Sequence, residues 1–125
     1  MSVKVDLAML ADAMADHGVA YLLTVSDDQR PHAVAVTPAL RERALTVEGL
    51  GSRTLGNLAS RPEVTLLFPP RAPGGYSLIV DGRASVDGGG ALVVPAHAVL
   101  HRPADHATGS TDSSCGNDCQ PLSAT

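Results

Sequence analysis

The stretch Ser52-Arg53-Thr54-Leu55-Gly56-Asn57-Leu58-Ala59-Ser60-Arg61-Pro62 gathers groups that hold an anion. It follows a strand-like run ending in Leu50-Gly51 and opens as a helix, with Ser52 as N-cap and Pro62 as stop. Leu55, Leu58 and Ala59 fall at i, i+3 and i+4 and make one apolar stripe. The first turn of a helix carries N–H groups without intrahelical partners, and these favour negative charge. Arg53 adds a fixed positive charge there, and Ser52 and Thr54 add hydroxyl donors. The chemistry on offer is a phosphate seat. The same features also fit an ordinary capped surface helix with a solvated arginine.

A second concentration of reactive types lies at the end of the chain. His101 and His106 with Cys115 and Cys119 supply four nitrogen and sulfur ligands, a set that suits zinc or iron. The Cys-x3-Cys spacing is not that of a zinc knuckle, and Gly116 and Asn117 disfavour a helix that would put both thiols on one face. The alternative is a tail with incidental thiols. His97 and His101 fall on one face of the last strand.

The elements that must position these groups follow from periodicity. Asp6 caps a first helix whose apolar face is Leu7, Leu10, Ala11 and Met14, and His17-Gly18 ends it. His17 there reads as a cation at the helix C-terminus. Val19 to Ser26 reads as a strand, Asp27 to Pro31 as a turn, and His32 to Thr37 as the returning strand of a hairpin. Ala44 to Leu50 is a third strand, reached through a charged turn at Arg41-Glu42-Arg43. Val64 to Phe68 is a fourth, Tyr76 to Asp87 a fifth, and Ala91 to Arg102 the last. Gly82 and Pro95 inside the long strands mark a bulge or a close backbone approach. Six strands with two short helices indicate a mainly β fold, a small six-stranded barrel occupying residues 1–103. Residues 104–125 are rich in Ser, Thr, Gly and Asp, lack Lys and Arg, and read as a tail that buries too little to order itself.

Composition limits the partners. A net charge of −4 and the absence of any Lys/Arg run argue against nucleic acid. No long apolar run and no signal-peptide pattern are present, which reads as a cytoplasmic protein without a membrane segment. Aromatic residues are confined to Tyr21, Phe68 and Tyr76, so Val, Leu and Ala build the core.

The order of elements resembles a known family. Tyr21-Leu22-Leu23-Thr24-Val25 followed by Asp27-Asp28-Gln29-Arg30-Pro31-His32 is similar to the opening hairpin of the pyridoxamine 5′-phosphate oxidase-like split β-barrels. Arg53-Thr54-Leu55-Gly56-Asn57-Leu58 followed by Arg61-Pro62-Glu63-Val64 resembles the family's phosphate segment, and Val80-Asp81-Gly82-Arg83-Ala84-Ser85-Val86 its "v-x-G-x-A-x-v" strand. The motifs run in order through residues 5–102. The resemblance implies a homodimer that binds FMN or the deazaflavin coenzyme F-420 at the subunit interface and transfers hydride to or from a small or planar substrate. It implies that Ser52, Arg53 and Thr54 hold the cofactor phosphate, and that the backbone of Val36, Thr37 and Pro38 lies along the ring. Asn57 is equally a structural side chain or a ligand contact. The chain lacks the C-terminal Arg-x-His segment of true pyridoxamine phosphate oxidases, which argues against pyridoxal phosphate synthesis. No residue stands out as a catalytic acid or base. The competing expectations are a non-catalytic flavin, deazaflavin or haem binder, and a metal- or redox-sensing protein acting through the Cys/His tail.

Overall fold

A computed structural model of the chain describes residues 1–104. The strands are β1 (Ser2–Lys4), β2 (Ala20–Val25), β3 (Pro31–Val36), β4 (Ala39–Arg41), β5 (Ala44–Val47), β6 (Glu63–Phe68), β7 (Ser77–Asp87) and β8 (Gly90–His101). A single 3-10 turn (Leu7–Met9) leads into α1 (Leu10–Ala15), and α2 (Ser52–Ser60) joins β5 to β6. All paired strands are antiparallel, in the order β3-β2-β6-β7-β8-β5-β4, with β1 added to the far end of β8. The sheet has eight strands rather than six. The two extra ones, β1 and β4, are three residues each, too short to show an alternation in sequence.

Alternation does set the core. In β2 the inward residues Ala20, Leu22 and Thr24 are buried and Tyr21 and Val25 are exposed. Leu22 pairs with Leu66, Leu66 with Val80 and Val80 with Ala98, so one buried layer crosses four strands. Leu10 of α1 and Leu58 of α2 are buried against the same core.

The first helix departs from expectation in its face. Leu10, Ala13 and Met14 turn inward, while Leu7 and Ala11 are exposed. Leu7 belongs to the 3-10 turn, whose tighter winding breaks the 3.6-residue register. Asp6 does cap that turn, accepting from the Ala8 N–H at 3.1 Å.

Gly82 and Pro95 meet at one irregularity. Asp81 pairs with His97 and Gly82 with Pro95, so Ala96 is the extra residue of a bulge. A Cβ on Gly82 would lie 2.6 Å from the Val94 carbonyl oxygen. β8 pairs with β5 through Val93 and with β1 from Val99, and Pro95 sits between these two pairings, where its missing N–H costs no ladder bond.

Candidate functional site

Helix α2 begins one residue earlier than its hydroxyl suggests. Gly51 occupies the N-cap with extended backbone, and Ser52 is the first helical residue and makes no capping bond. The Leu55 N–H reaches the Gly51 carbonyl at 3.0 Å. The N–H groups of Ser52, Arg53 and Thr54 therefore precede the first closed turn and have no intrahelical acceptor.

The buried stripe of α2 is Thr54, Asn57 and Leu58, not Leu55, Leu58 and Ala59. Leu55 is half-buried and Ala59 exposed. Two polar residues thus face the barrel. Thr54 is 2 % exposed, so its hydroxyl is withdrawn beneath the helix start, while Ser52 and Arg53 stand in solvent. The Asn57 Nδ2 donates to the Thr24 hydroxyl at 3.1 Å, which ties α2 to β2. The other end of that amide has no partner among the described residues, and this holds whichever way round the amide stands.

Asn57 and Arg53 form one wall of a groove of about 650 Å³ between α2 and the tip of the β2–β3 hairpin. Ser26, Asp27, Asp28, Arg30, Pro31 and His32 form the other wall, which therefore carries both signs of charge. His32 is directly opposite Thr24 in the β2–β3 ladder, on the face of the hairpin that Asn57 meets through Thr24. Of the two carboxylates on that wall, Asp27 has a cationic partner and Asp28 only a hydroxyl donor. Asp27 pairs with Arg61 at 2.6 Å, and Asp28 accepts the Ser26 hydroxyl. Arg53 and Arg30 have no ion-pair partner among the described residues. In the sequence Arg30 and His32 stand out only as part of a hairpin that resembles the family's; the register that places them across from α2 is not a local signal.

The other expected cofactor segment lies at the opposite end of the hairpin. Val36 is five residues along β3 from Pro31, roughly 17 Å away. Its side chain is buried, Thr37 is exposed and Pro38 half-buried. Because β3 ends the strand order, its outer backbone edge carries no strand among the described residues.

Of the expected metal ligands, His101 stands on β8 with its Nδ1 3.1 Å from the Ser2 hydroxyl. His106, Cys115 and Cys119 lie outside the described residues. No group of three or more His, Cys, Asp or Glu side chains gathers among the described residues. Tyr76 precedes β7 rather than lying in it, and the Arg102 guanidinium covers its ring at 4.6 Å. No described helix is long and apolar enough to cross a membrane.

Comparison with known proteins bears on this arrangement. A family model described as pyridoxamine 5′-phosphate oxidase matches residues 8–100. An uncharacterised protein of Mycobacterium bovis is 48% identical, with 93% of each chain covered. Among solved structures, a putative pyridoxamine 5′-phosphate oxidase from Listeria innocua superposes with a TM-score of 0.61 at 19% identity, covering 75% of this chain and 96% of that one. An FAD-binding protein from Mesorhizobium loti gives 0.62 at 13% identity, covering 80% and 96%. An F-420 reductase gives 0.60 at 14% identity, covering 70% and 94%. At such identities the structural likeness speaks for the fold.

Proposed function

Because the chain belongs to the pyridoxamine 5′-phosphate oxidase family, we propose that it binds a flavin-type cofactor, FMN or the deazaflavin coenzyme F-420, in the α2 groove of a homodimer. The observation that carries this reading is the buried Asn57 amide. One end is held by Thr24 and the other opens, without a partner among the described residues, into a groove that also receives Arg53. A half-satisfied buried amide costs free energy unless a ligand completes it.

The residues present fit the group. Arg53 and the first N–H groups of α2 hold the phosphate, with the Ser52 hydroxyl beside them. Thr54 packs below and fixes the helix start. The free outer edge of β3, running toward Val36, Thr37 and Pro38, offers backbone donors and acceptors to the ring. When bound, such a cofactor supplies hydride transfer to or from a small or planar substrate.

The outward face of the sheet supports the homodimer. Tyr21, Leu67, Ile79 and Val99 are successive cross-strand partners and form an apolar row over four strands, with Tyr21 40 % exposed. A second copy of the chain covers such a row without requiring a polar partner.

The test is an equilibrium titration of the purified protein with FMN and with coenzyme F-420, read by cofactor fluorescence polarisation. Saturable binding of about one cofactor per subunit, weakened about tenfold or more in Arg53→Ala, is expected. No saturable binding of either, or unchanged affinity in Arg53→Ala, overturns the reading.

A further inference from the structure

Beside the apolar row on the outer sheet face runs a polar one. Thr65, Asp81 and His97 are successive cross-strand partners on β6, β7 and β8, each two residues along its strand from Leu67, Ile79 and Val99. Side chains two apart in a strand share a face and stand roughly 7 Å apart, so both rows look outward together. We propose that Asp81 and His97 form a proton-linked pair within the homodimer interface, which makes self-association of this chain tighter at acidic pH and weaker at alkaline pH. The inference rests on the homodimer proposed above and adds to it a control over its stability.

Area puts the pair under the partner. A stable interface covers roughly 800 Å² of each subunit, a disc reaching about 16 Å from its centre and more than twice the spacing of the two rows. A second copy centred on the apolar row therefore covers Asp81 and His97 as well. In the single chain both are half-exposed, Asp81 at 52% and His97 at 49% of the side chain.

Covering them makes the proton matter. Asp81 Oδ1 accepts the Thr65 hydroxyl at 2.6 Å, and Asp81 Oδ2 lies 3.6 Å from His97 Nδ1. An imidazolium there balances the carboxylate once water is displaced. A neutral ring leaves a buried negative charge uncompensated. Histidine changes charge between about pH 5 and 8. The covered pair favours the protonated ring, so the dimer holds more protons than two separate subunits. By linkage, association weakens as pH rises through that range.

The neighbouring charges leave this pair as the responsive one. Glu63 and Arg83, two residues further along β6 and β7, neutralise each other at 2.6 Å. Lys4 of β1 and Asp6 before the 3-10 turn line a cavity with His97, one of each sign, and Asp6 is held by the Ala8 N–H. Leu23 of β2, opposite Thr65, carries no charge. Beyond the apolar row, His101 is held on the Ser2 hydroxyl and faces no carboxylate among the described ion pairs.

Sedimentation equilibrium of the full chain at pH 6 and at pH 8, at one ionic strength, measures the dimer dissociation constant. Two-fold symmetry places two such pairs in each dimer, and the constant is expected to be at least about tenfold smaller at pH 6. Asp81→Asn keeps an acceptor for Thr65 and removes the charge. It is expected to dimerise at least about tenfold more tightly than wild type at pH 8 and to lose the preference for pH 6. His97→Gln leaves the carboxylate unbalanced, and is expected to stay within about threefold of the wild-type pH 8 value at both pH values. Equal constants for the wild type, a tighter dimer at pH 8, or a preference for pH 6 that survives either substitution overturns the inference and leaves the homodimer standing. A monomer at both pH values overturns both. Matching thermal melts show that the variants are folded.

Discussion

The Asn57 amide on α2 donates to the Thr24 hydroxyl on β2 across 3.1 Å, and the two residues are 8 % and 1 % exposed. This bond fixes α2 on the barrel wall and sets the angle at which its N-terminus meets the hairpin. Asn57→Ala leaves the Thr24 hydroxyl buried without its partner and lowers stability by about 1–3 kcal/mol. Thr24→Val costs a similar amount, and the double variant costs less than the sum, because the two share one interaction. Urea unfolding of the four proteins measures the cycle. Strict additivity would show that the bond does not hold the helix.

A methyl group at Gly82 has nowhere to go. Its Cβ would lie 2.6 Å from the Val94 carbonyl oxygen and 2.9 Å from the Val93 Cγ1, both on β8. The two longest strands must separate to admit it. Gly82→Ala therefore lowers stability by about 1–3 kcal/mol, read as a lower thermal midpoint, while Gly56→Ala, where a Cβ meets open space, does not. A wild-type midpoint in Gly82→Ala would show that the bulge yields without cost.

His17 clasps two segments. Its Nδ1 is 3.0 Å from the Ala13 carbonyl and its Nε2 3.0 Å from the Tyr76 carbonyl, joining the end of α1 to the start of β7. A neutral ring donates to one of these acceptors and an imidazolium to both. His17→Ala removes both contacts and the edge packing on Phe68, at a cost of about 1–3 kcal/mol. His17→Gln keeps one donor and loses less. Denaturant midpoints that rank the two variants in the reverse order would refute the clasp.

The apolar row on the outer sheet face gives the proposed dimer its test. Tyr21→Glu puts a charge among Leu67, Ile79 and Val99. Sedimentation velocity is expected to give a dimer for the wild-type chain and a monomer for the variant, with unchanged far-ultraviolet circular dichroism. A wild-type monomer, or a dimer that tolerates the charge, would place any interface elsewhere.

Much of the fold was legible because its signals are local. The Asp27–Pro31 turn between two apolar runs marked the β2–β3 hairpin, and Gly82 with Pro95 marked the bulge. Pro62 marked the end of α2. β1 and β4 were not legible, since three residues carry no period and β1 is defined by its partners. Its edge is held by the Met1 amino group on the Arg102 carbonyl and by Ser2 against His101, nearly the whole chain apart in sequence.

The sequence alone determined the family of architectures, the alternation that separates core from surface, and the presence of Arg53 at a helix start. Those properties depend on residue type and spacing within one element. The tertiary structure decided which side of α2 is buried. The hydrophobic pattern pointed to Leu55, Leu58 and Ala59, but the helix settled with Thr54 and Asn57 inward because Thr24 on β2 supplies a buried partner. It also decided that Arg30 and His32 share a groove with Arg53. That depends on the strand register and on where α2 crosses the sheet, and both are set by contacts between residues far apart in the chain.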